Sequence, residues 1–367
     1  MNRRDLLKTG LLVCGRTAAA ALPAAPEPVT VYRAGADGYH TYRIPAILRT
    51  PKGTLLAFAE ARKNSTSDFG DIDMVVKRSS DGGKTWSAQA LIADQGENSI
   101  GNPCPVIDRK TGTIWLPLIA APGNIDKNDI MEGRAAQTVW LTKSLDDGQS
   151  WSRLREITSQ VKARDWTWFA TGPGVGIQLG DGRLLIPCDH RLAGSDVPYS
   201  HAMFSTDGGE SWKSGTAVGE KTNECQVVEL AGGDLLMNMR SFHGQNRRAV
   251  ALSQDRGLTW THLRLHQELI EPACQASLIA LGSGRDRLLL FSNPAATKRV
   301  NMTVRVSRDR GETWPAARSL YAGPSAYSCL VDLGGNDAGC LFERGENSPY
   351  EEICFMRFSL DWIAAKA

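Results

Sequence analysis

Eight polar residues with chemically useful side chains stand at the ends of short, strand-like apolar runs that are widely separated in the chain. Four are arginines, three are acids and one is a tyrosine: Arg43, Arg62, Arg240, Arg299, Asp68, Glu224, Glu343 and Tyr327. Guanidinium groups that converge on one point suit a carboxylate or a phosphate, because each presents paired N–H donors in a fixed plane. Glycine-rich phosphate loops are absent from the sequence, so a small carboxylate ligand is the better interpretation.

The element that must position these residues is an octet, Ser-x-Asp-x-Gly-x-Ser/Thr-Trp, that occurs five times. The copies begin 48 to 65 residues apart, at Ser79, Ser144, Ser205, Ser253 and Ser307. Its Ser and Asp side chains can bond nearby backbone N–H groups, and its Gly can adopt a positive φ. Each copy therefore predicts a hairpin turn closed by a buried Trp, and its Asp is expected to form the turn rather than to catalyse.

A repeat of this length, filled with short β-rich runs, predicts an all-β protein, a six-bladed β-propeller with four-stranded antiparallel blades and five octet turns. The propeller domain is expected over residues 29–360, with Val29–Arg33 completing a last blade that has no octet. In such blades the eight polar residues fall on one rim and the octets on the opposite rim. Converging loops are where propellers place binding sites.

Composition argues against several other classes of protein. The 367 residues carry a formal net charge of +2, which falls to about −1 without residues 1–25, so broad binding to nucleic acid or anionic membranes is not expected. No apolar run is long enough to span a membrane, and the scattered cysteines have no metal-ligand spacing. Asp68, Asp71 and Asp73 resemble a calcium loop only loosely, so no metal and no cofactor are predicted.

The histidines show no pattern of catalytic partners, and His190 and His243 are expected to be loop residues.

The first 25 residues resemble an export signal of the twin-arginine type. Arg3-Arg4 precedes Leu11-Leu12-Val13 and an alanine-rich stretch that reaches Ala25. This pattern predicts a protein of the periplasm or the extracellular space. A lipoprotein anchored at Cys14 is a weaker alternative, because Val13 is bulkier than the residue that usually precedes a lipidated cysteine.

Several short segments carry a more specific resemblance. They are Tyr42-Arg43-Ile44-Pro45, residues 56–62 followed by Ser67-Asp68, residues 222–226, Asn238-Met239-Arg240, Ser292-Asn293-Pro294 leading to Arg299, Ala326-Tyr327-Ser328 and Phe342-Glu343-Arg344. Together with the octets they resemble the sialidase (exo-α-neuraminidase) family over essentially the whole chain after residue 25. The octets occur in unrelated propellers as well, whereas the Arg-Ile-Pro, Glu and Tyr segments are specific.

The resemblance implies a retaining exo-α-sialidase that acts on sialylated oligosaccharides, glycoproteins and glycolipids. Arg43, Arg240 and Arg299 would bind the carboxylate of the sugar. Glu343 would hold Arg43, and Arg62 would line the pocket near the 4-position.

The same resemblance implies three catalytic residues. Tyr327 would be the nucleophile and Glu224 the base that removes its proton. Asp68 would protonate the leaving oxygen and then activate water, with Asp71 as the competing candidate for that role. A neutral nucleophile suits this substrate, because the reacting carbon carries a carboxylate that would repel an Asp or Glu nucleophile.

Three alternatives stay open. A glycosidase for the deaminated sugar would use the same arginines and differ in the pocket for the 5-substituent. A transglycosidase cannot be separated from a hydrolase by sequence. A non-catalytic binding propeller would have the octets without the Arg, Glu and Tyr residues.

The role of the aromatic segment 165–172 is also left open by the sequence, because it could line the pocket or pack within a blade.

Overall fold

Strands dominate the part of the chain that this computed structural model describes, residues 26–282 and 287–365, which makes the protein all-β as predicted. The first thirteen strands of these ranges are β1 (Val29–Arg33), β2 (Thr41–Arg49), β3 (Leu55–Arg62), β4 (Ile72–Ser79), β5 (Ala90–Ala93), β6 (Ser99–Gly101), β7 (Val106–Ile107), β8 (Ile114–Ala121), β9 (Thr138–Ser144), β10 (Arg155–Glu156), β11 (Trp166–Thr171), β12 (Ile177–Gln178) and β13 (Leu184–Leu192). The remaining ones are β14 (Pro198–Ser205), β15 (Lys213–Ser214), β16 (Thr222–Glu229), β17 (Leu235–Ser241), β18 (Arg247–Ser253), β19 (Thr261–Ile270), β20 (Ser277–Leu281), β21 (Leu288–Pro294), β22 (Val300–Ser307), β23 (Ala316–Gly334), β24 (Asp337–Arg344) and β25 (Glu352–Ser359). Three short helices are α1 (Lys127–Met131), α2 (Thr158–Val161) and α3 (Leu360–Ala364). The predicted signal segment, residues 1–25, and its Cys14 lie outside the described residues.

Strands that follow one another in the sequence pair in antiparallel ladders. β16, β17, β18 and β19 make one such four-stranded sheet. The long β23 contributes to two ladders, its first part beside β22 and its second part beside β24. β1 pairs with β25, with Val29 opposite Phe355, so the N-terminal strand completes the sheet formed by the C-terminal strands.

The aromatic segment 165–172 was left open by its sequence, and most of it forms β11. Trp166 packs within the sheet, with its ring 3.7 Å from that of His190, whereas Trp168 lines a pocket. The expectation that His190 is a loop residue was wrong, because it lies in β13 and is buried. Its ring is stacked between Trp166 and Tyr199, and these aromatic contacts remove it from water.

Apolar side chains form several separate clusters between packed strands rather than one central core. One layer packs Phe58 and Met74 against Leu116, and another packs Cys225 against Leu185. The inner strands surround a cavity of about 630 Å³, which opens near Arg49, at the far end of β2 from Arg43. All seven cysteines of the described part are buried and unpaired, so burial of apolar side chains stabilises the sheets without disulfides there.

Each octet folds into a turn with the same hydrogen bonds. In the first, the Ser79 hydroxyl donates to Asp81 (2.8 Å) and accepts from the Gly83 amide (2.9 Å). Asp81 also accepts from the amide (3.0 Å) and the hydroxyl (2.6 Å) of Thr85. The same contacts recur in the octets of Asp146, Asp207, Asp255 and Asp309. The hydroxyl and amide of Thr85 hold the pKa of Asp81 well below its usual value, so this carboxylate is committed to its turn.

The octets lie at the opposite end of the strands from the predicted site residues. Asp147, in the second octet, accepts a hydrogen bond from Thr54 at 2.7 Å, just before β3 begins. Arg62 is the last residue of the same strand. Octet tryptophans pack onto the sheets, as Trp86 does edge-on against Phe355 with ring centroids 5.6 Å apart. The turns therefore brace one end of the strands and leave the other end for polar side chains.

A stability prediction follows from two glycines with nearly equal backbone angles. Gly83 has φ +89° and a Cβ there would lie 2.1 Å from the Phe355 ring, whereas Gly182 has φ +92° and nothing within 4 Å. Both Ala substitutions should incur the strain of a positive φ, but only Gly83→Ala must also displace a packed ring. We expect Gly83→Ala to lower the free energy of unfolding by about 1–3 kcal/mol more than Gly182→Ala, as measured by urea denaturation. Equal losses would show that the octet turn is not packed this closely.

Candidate active site

All eight polar residues singled out in the sequence are linked by direct contacts at one end of the strands. Three of them lie on the first strand of an antiparallel pair. Arg43 is on β2, which pairs with β3; Glu224 is on β16, which pairs with β17; and Tyr327 is on β23, which pairs with β24. The ladder shifts register at each position, between Arg43 and Ala46, between Thr222 and Cys225, and between Ser325 and Ser328. Such bulges bend a strand and redirect its side chains, and they are common beside active sites.

Glu343 on β24 is the most enclosed charged residue of the cluster, with no exposed surface. Its carboxylate accepts from Arg43 Nε at 2.7 Å and from the backbone amides of Ile44 and Tyr327, both at 3.0 Å. A buried carboxylate is tolerated only when charged and polar donors surround it in this way. Burial opposes the charge of Arg43, but Glu343 outweighs that effect and raises the pKa of Arg43.

The backbone at Ile44 is strained in a way that serves this contact. Its φ is +58°, a region that β-branched residues rarely occupy. The conformation directs the Ile44 amide and the Arg43 side chain towards the same carboxylate. The Arg43 side chain and the Ile44 amide therefore fix the start of β2 on Glu343, and the strain is located where Arg43 is positioned.

Tyr327, Glu224 and Arg240 form the second part of the cluster. The Tyr327 hydroxyl donates to Glu224 Oε1, and Arg240 Nη1 lies 2.7 Å from Glu224 Oε2 and 3.3 Å from the tyrosine oxygen. Tyr327 is only 6% exposed. Burial, and then the charge of Glu224, raise the pKa of Tyr327 well above its usual value. The resting side chain is a neutral phenol whose hydroxyl donates to the Glu224 carboxylate.

Arg299 completes the cluster from the loop before β22. Its guanidinium carbon is 5.6 Å from the centre of the Tyr327 ring, and its Nη1 donates to the Tyr350 hydroxyl at 2.6 Å. Tyr350 also lies under Arg43, with 4.1 Å between guanidinium carbon and ring centre. Tyr350 is thus a further member of the site that sequence reasoning missed, because it lies in a loop with no repeat or strand pattern.

Asp68 extends from the loop after β3 to the mouth of the site, and its side chain is 71% exposed. Its carboxylate lies 2.9 Å from Arg62 and 3.9 Å from Arg43. Partial burial works to raise its pKa, but Arg62 and Arg43 outweigh it and hold the pKa of Asp68 below its usual value. Arg62 is itself held by Glu60 at 2.6 Å, a buried acid for which the sequence assigned no role.

Asp71, the competing candidate, faces elsewhere. Its carboxylate pairs with Lys63 at 2.9 Å. The loop therefore brings Asp68, and not Asp71, to the arginines of the site.

A pocket lies between Asp68 on one side and Glu224 and Tyr327 on the other. Ile100, Ile119, Ala120 and Ala121 form an apolar recess in its wall, beside polar residues that include Glu60, Asn102 and Gln137. Near it, Arg240 Nε is buried and has no hydrogen-bond partner in the described part of the chain. The site thus combines an unused buried donor with an apolar recess, which suits a ligand that carries both an anionic and an apolar group.

The charges of the inner cluster do not cancel. Among the enclosed groups, Arg43, Arg240 and Arg299 outnumber Glu343 and Glu224 by one positive charge; the next acid is the exposed Asp68, 3.9 Å from Arg43 and 2.9 Å from Arg62. A single carboxylate bound between these arginines would balance the charge. The chemistry available is therefore anion binding next to a phenol with its base, and a second acid at the mouth.

Metal and membrane features were searched over residues 26–282 and 287–365. No cluster of three or more His, Cys, Asp or Glu side chains in these ranges could hold a metal ion. No helix there has the length and apolarity needed to cross a bilayer.

Comparison with known proteins agrees with the geometry. The family model of the BNR repeat-like domain matches residues 53–339. A sialidase of Bacteroides fragilis is 37% identical over 346 residues, which cover 86% of this chain and 62% of that protein. Sialidase-2 of Mus musculus is 33% identical over 360 residues, which cover 88% of this chain and 93% of the mouse protein.

Solved structures show the same similarity. The Hadza microbial sialidase Hz136 superposes with a TM-score of 0.84 and 35% identity, covering 92% of this chain and 69% of that one. A leech intramolecular trans-sialidase has a TM-score of 0.80 at 21% identity, with 93% and 71% covered, and so shares the fold. These matches confirm the resemblance and the predicted β-propeller type of fold: the chain belongs to the sialidase family of glycoside hydrolases.

Proposed function

We propose that this protein is a retaining exo-α-sialidase that hydrolyses terminal sialic acids from oligosaccharides, glycoproteins or glycolipids. The observation that carries the proposal is the Tyr327 hydroxyl, hydrogen-bonded to Glu224 inside a cluster of three arginines. The arginines account for recognition of a carboxylate on the reacting sugar carbon. The phenol with its base accounts for a nucleophile that such a carboxylate does not repel.

In the first step, the Tyr327 oxygen attacks the anomeric carbon while Glu224 takes its proton. A free tyrosine has a pKa of about 10, and burial raises that of Tyr327 further, so the base in direct contact is needed. The bond from the anomeric carbon to the leaving oxygen breaks, and Asp68 protonates that oxygen. Arg240, 3.3 Å from the phenol oxygen, stabilises negative charge as it develops there.

In the second step, Asp68 removes a proton from water, which attacks the anomeric carbon and releases the Tyr327 oxygen. That oxygen recovers its proton from Glu224, and two inversions give retention. Asp68 is ionised at rest because Arg62 and Arg43 lower its pKa. Binding of the substrate carboxylate offsets these positive charges and raises the pKa of Asp68, so the acid form is populated once substrate is present.

The apolar recess favours the N-acetyl sugar over the deaminated one. Ile100, Ile119, Ala120 and Ala121 offer an acetyl methyl group a surface that a hydroxyl would not use. The two possible specificities are separated by measuring kcat/KM for the N-acetyl and the deaminated sugar linked to the same aglycone. The deaminated sugar should have the lower kcat/KM.

We extend the proposal to domain organisation and location. Residues 29–360 are assigned to one propeller of six four-stranded blades, with the octets as its five Asp-box turns; the antiparallel ladders and the pairing of β1 with β25 support this. Residues 1–25 are assigned to a twin-arginine signal that exports the protein to the periplasm or beyond, on the sequence pattern alone.

The nucleophile is tested with Tyr327→Phe on a fluorogenic sialoside. Loss of the attacking oxygen should lower kcat by on the order of 10³-fold or more. Tyr321→Phe is the matched control, since that hydroxyl donates to the Gly345 carbonyl away from the pocket. We expect Tyr321→Phe to stay close to wild type. Wild-type-like turnover by Tyr327→Phe would remove the proposed nucleophile.

The acid role of Asp68 predicts a dependence on the leaving group. An alkyl aglycone such as a sugar hydroxyl needs protonation, whereas an acidic phenol leaves without it. Asp68→Asn should therefore lower kcat/KM by about 10²–10⁴-fold on a sialyl oligosaccharide. The loss should be much smaller on an aryl sialoside.

Asp71→Asn serves as control in that experiment, because Asp71 pairs with Lys63 outside the pocket. It should behave like wild type on both substrates. An equal loss for Asp68→Asn on alkyl and aryl substrates would argue that Asp68 only positions Arg62.

A further inference from the structure

A further acid, Asp189, lies close enough to Glu224 and Arg240 to feel their charges. It is on β13, and the adjacent residue Cys188 offers its carbonyl to the Cys225 thiol at 3.4 Å. Across the ladder, Ser200 faces Asp189 and donates to the carbonyl of Asn223 at 2.5 Å. These contacts fix the backbone around Asp189 beside the backbone around Glu224.

The side chain of Asp189 is buried and incompletely paired. Only 1% of the residue is exposed, and its Oδ2 has no hydrogen-bond partner in the described part of the chain. No guanidinium or ammonium group of the described residues lies within salt-bridge distance of it, in contrast to Glu224 and Glu343. An ionised carboxylate in such a place would cost several kcal/mol, whereas a protonated one removes the charge.

The charged groups around Asp189 have other partners, and Arg191, Arg240 and a hydrogen bond from Trp168 only partly offset the effect of burial on its pKa. Glu224 on β16 already holds Arg240 of β17, and Arg191 of β13 donates to the backbone of Asp196. The Lys127 amine of α1 is repelled by Arg191 and Arg240 and attracted by Asp189 and Asp196. The thiols of Cys188 and Cys225, which flank Asp189 and Glu224, are buried and protonated.

We propose that Asp189 is a positioning residue that carries its proton in the working enzyme and so leaves Arg240 to Glu224 and to the carboxylate of the substrate. With both acids ionised, the inner cluster would lose its single unbalanced positive charge. A substrate carboxylate would then meet a neutral site and bind less tightly. The proposal rests on the proposed function and adds an effect on substrate binding to the pH dependence that Asp68, as the proton donor, already imposes.

The expected pH range follows from the surroundings of Asp189. Burial, and then the charge of Glu224, raise its pKa to about 8. Asp189 is thus neutral at neutral pH and gains charge as the pH rises through that value. Ionisation should weaken substrate binding, so kcat/KM should fall on the alkaline side through a rise in KM.

The first experiment is the pH dependence of kcat and KM for wild type and Asp189→Asn, which mimics the neutral acid. Wild-type kcat/KM should decline above pH 8 through a rise in KM, in addition to any slope that the proton donor Asp68 gives both proteins, while kcat changes less. Asp189→Asn should keep wild-type activity at pH 7 and lose this alkaline decline. Asp196→Asn, at an exposed acid of the same neighbourhood, should keep the wild-type profile.

Two outcomes would overturn the proposal. One is an unchanged alkaline decline in Asp189→Asn, and the other is a large fall of its kcat at pH 7, which would make Asp189 a direct participant. Absence of sialoside turnover by wild type at every pH would instead contradict the proposed function.

Two further readouts do not depend on activity. The infrared band of a protonated carboxyl should be present in wild type at pH 7 and absent in Asp189→Asn. Because the pKa of Asp189 is higher in the folded than in the unfolded state, wild-type stability should fall as pH rises from about 4 to about 8. The Tm of Asp189→Asn relative to wild type should therefore increase across this window, and a constant difference together with no protonated band would exclude a neutral Asp189.

Discussion

The site depends on one buried carboxylate, that of Glu343. It receives the guanidinium of Arg43 and two backbone amides, and so joins β2 near the beginning of the described chain to β23 and β24 near its end. Removing it would leave a buried guanidinium without a partner, a change that typically costs 3–5 kcal/mol. The contact also explains why the strained backbone at Ile44 is retained, since relaxation of that residue would withdraw one of the donors.

Three acids in one small volume have three different tasks because their surroundings differ. Glu224 is paired with Arg240 and accepts the phenol proton, which suits a base. Asp68 is exposed and held ionised by Arg62 and Arg43 until an anion arrives. Glu343 is fully enclosed and serves as a fixed counter-charge. Arg43 and Arg240 each contact one of the two enclosed acids closely, Glu343 and Glu224 respectively.

The sequence was informative where a residue type had one plausible task. The octet Gly and Asp positions indicated turns, and the turns fixed which strand ends share a rim; this was enough to group Arg43, Glu224 and Tyr327. Tyr350 and Glu60 were not found, because their roles come from contacts with Arg299 and Arg62 rather than from local patterns. Asp189 could not be found either, since its burial and its distance from any counter-charge exist only after β13 and β16 pack together. Similarly, no periodicity distinguished a strand from a pocket rim in residues 165–172.

The central claim is that the inner arginines hold a net positive charge for one carboxylate. The most direct test is calorimetric binding of an unsaturated sialic acid analogue, compared with the same molecule whose carboxylate is replaced by a carboxamide. The two ligands have the same shape, so the difference in their Kd reports the charge interaction. The account predicts that the carboxamide binds at least about 10²-fold more weakly, as expected when charge-assisted hydrogen bonds are lost. Equal affinities for the two ligands would contradict it.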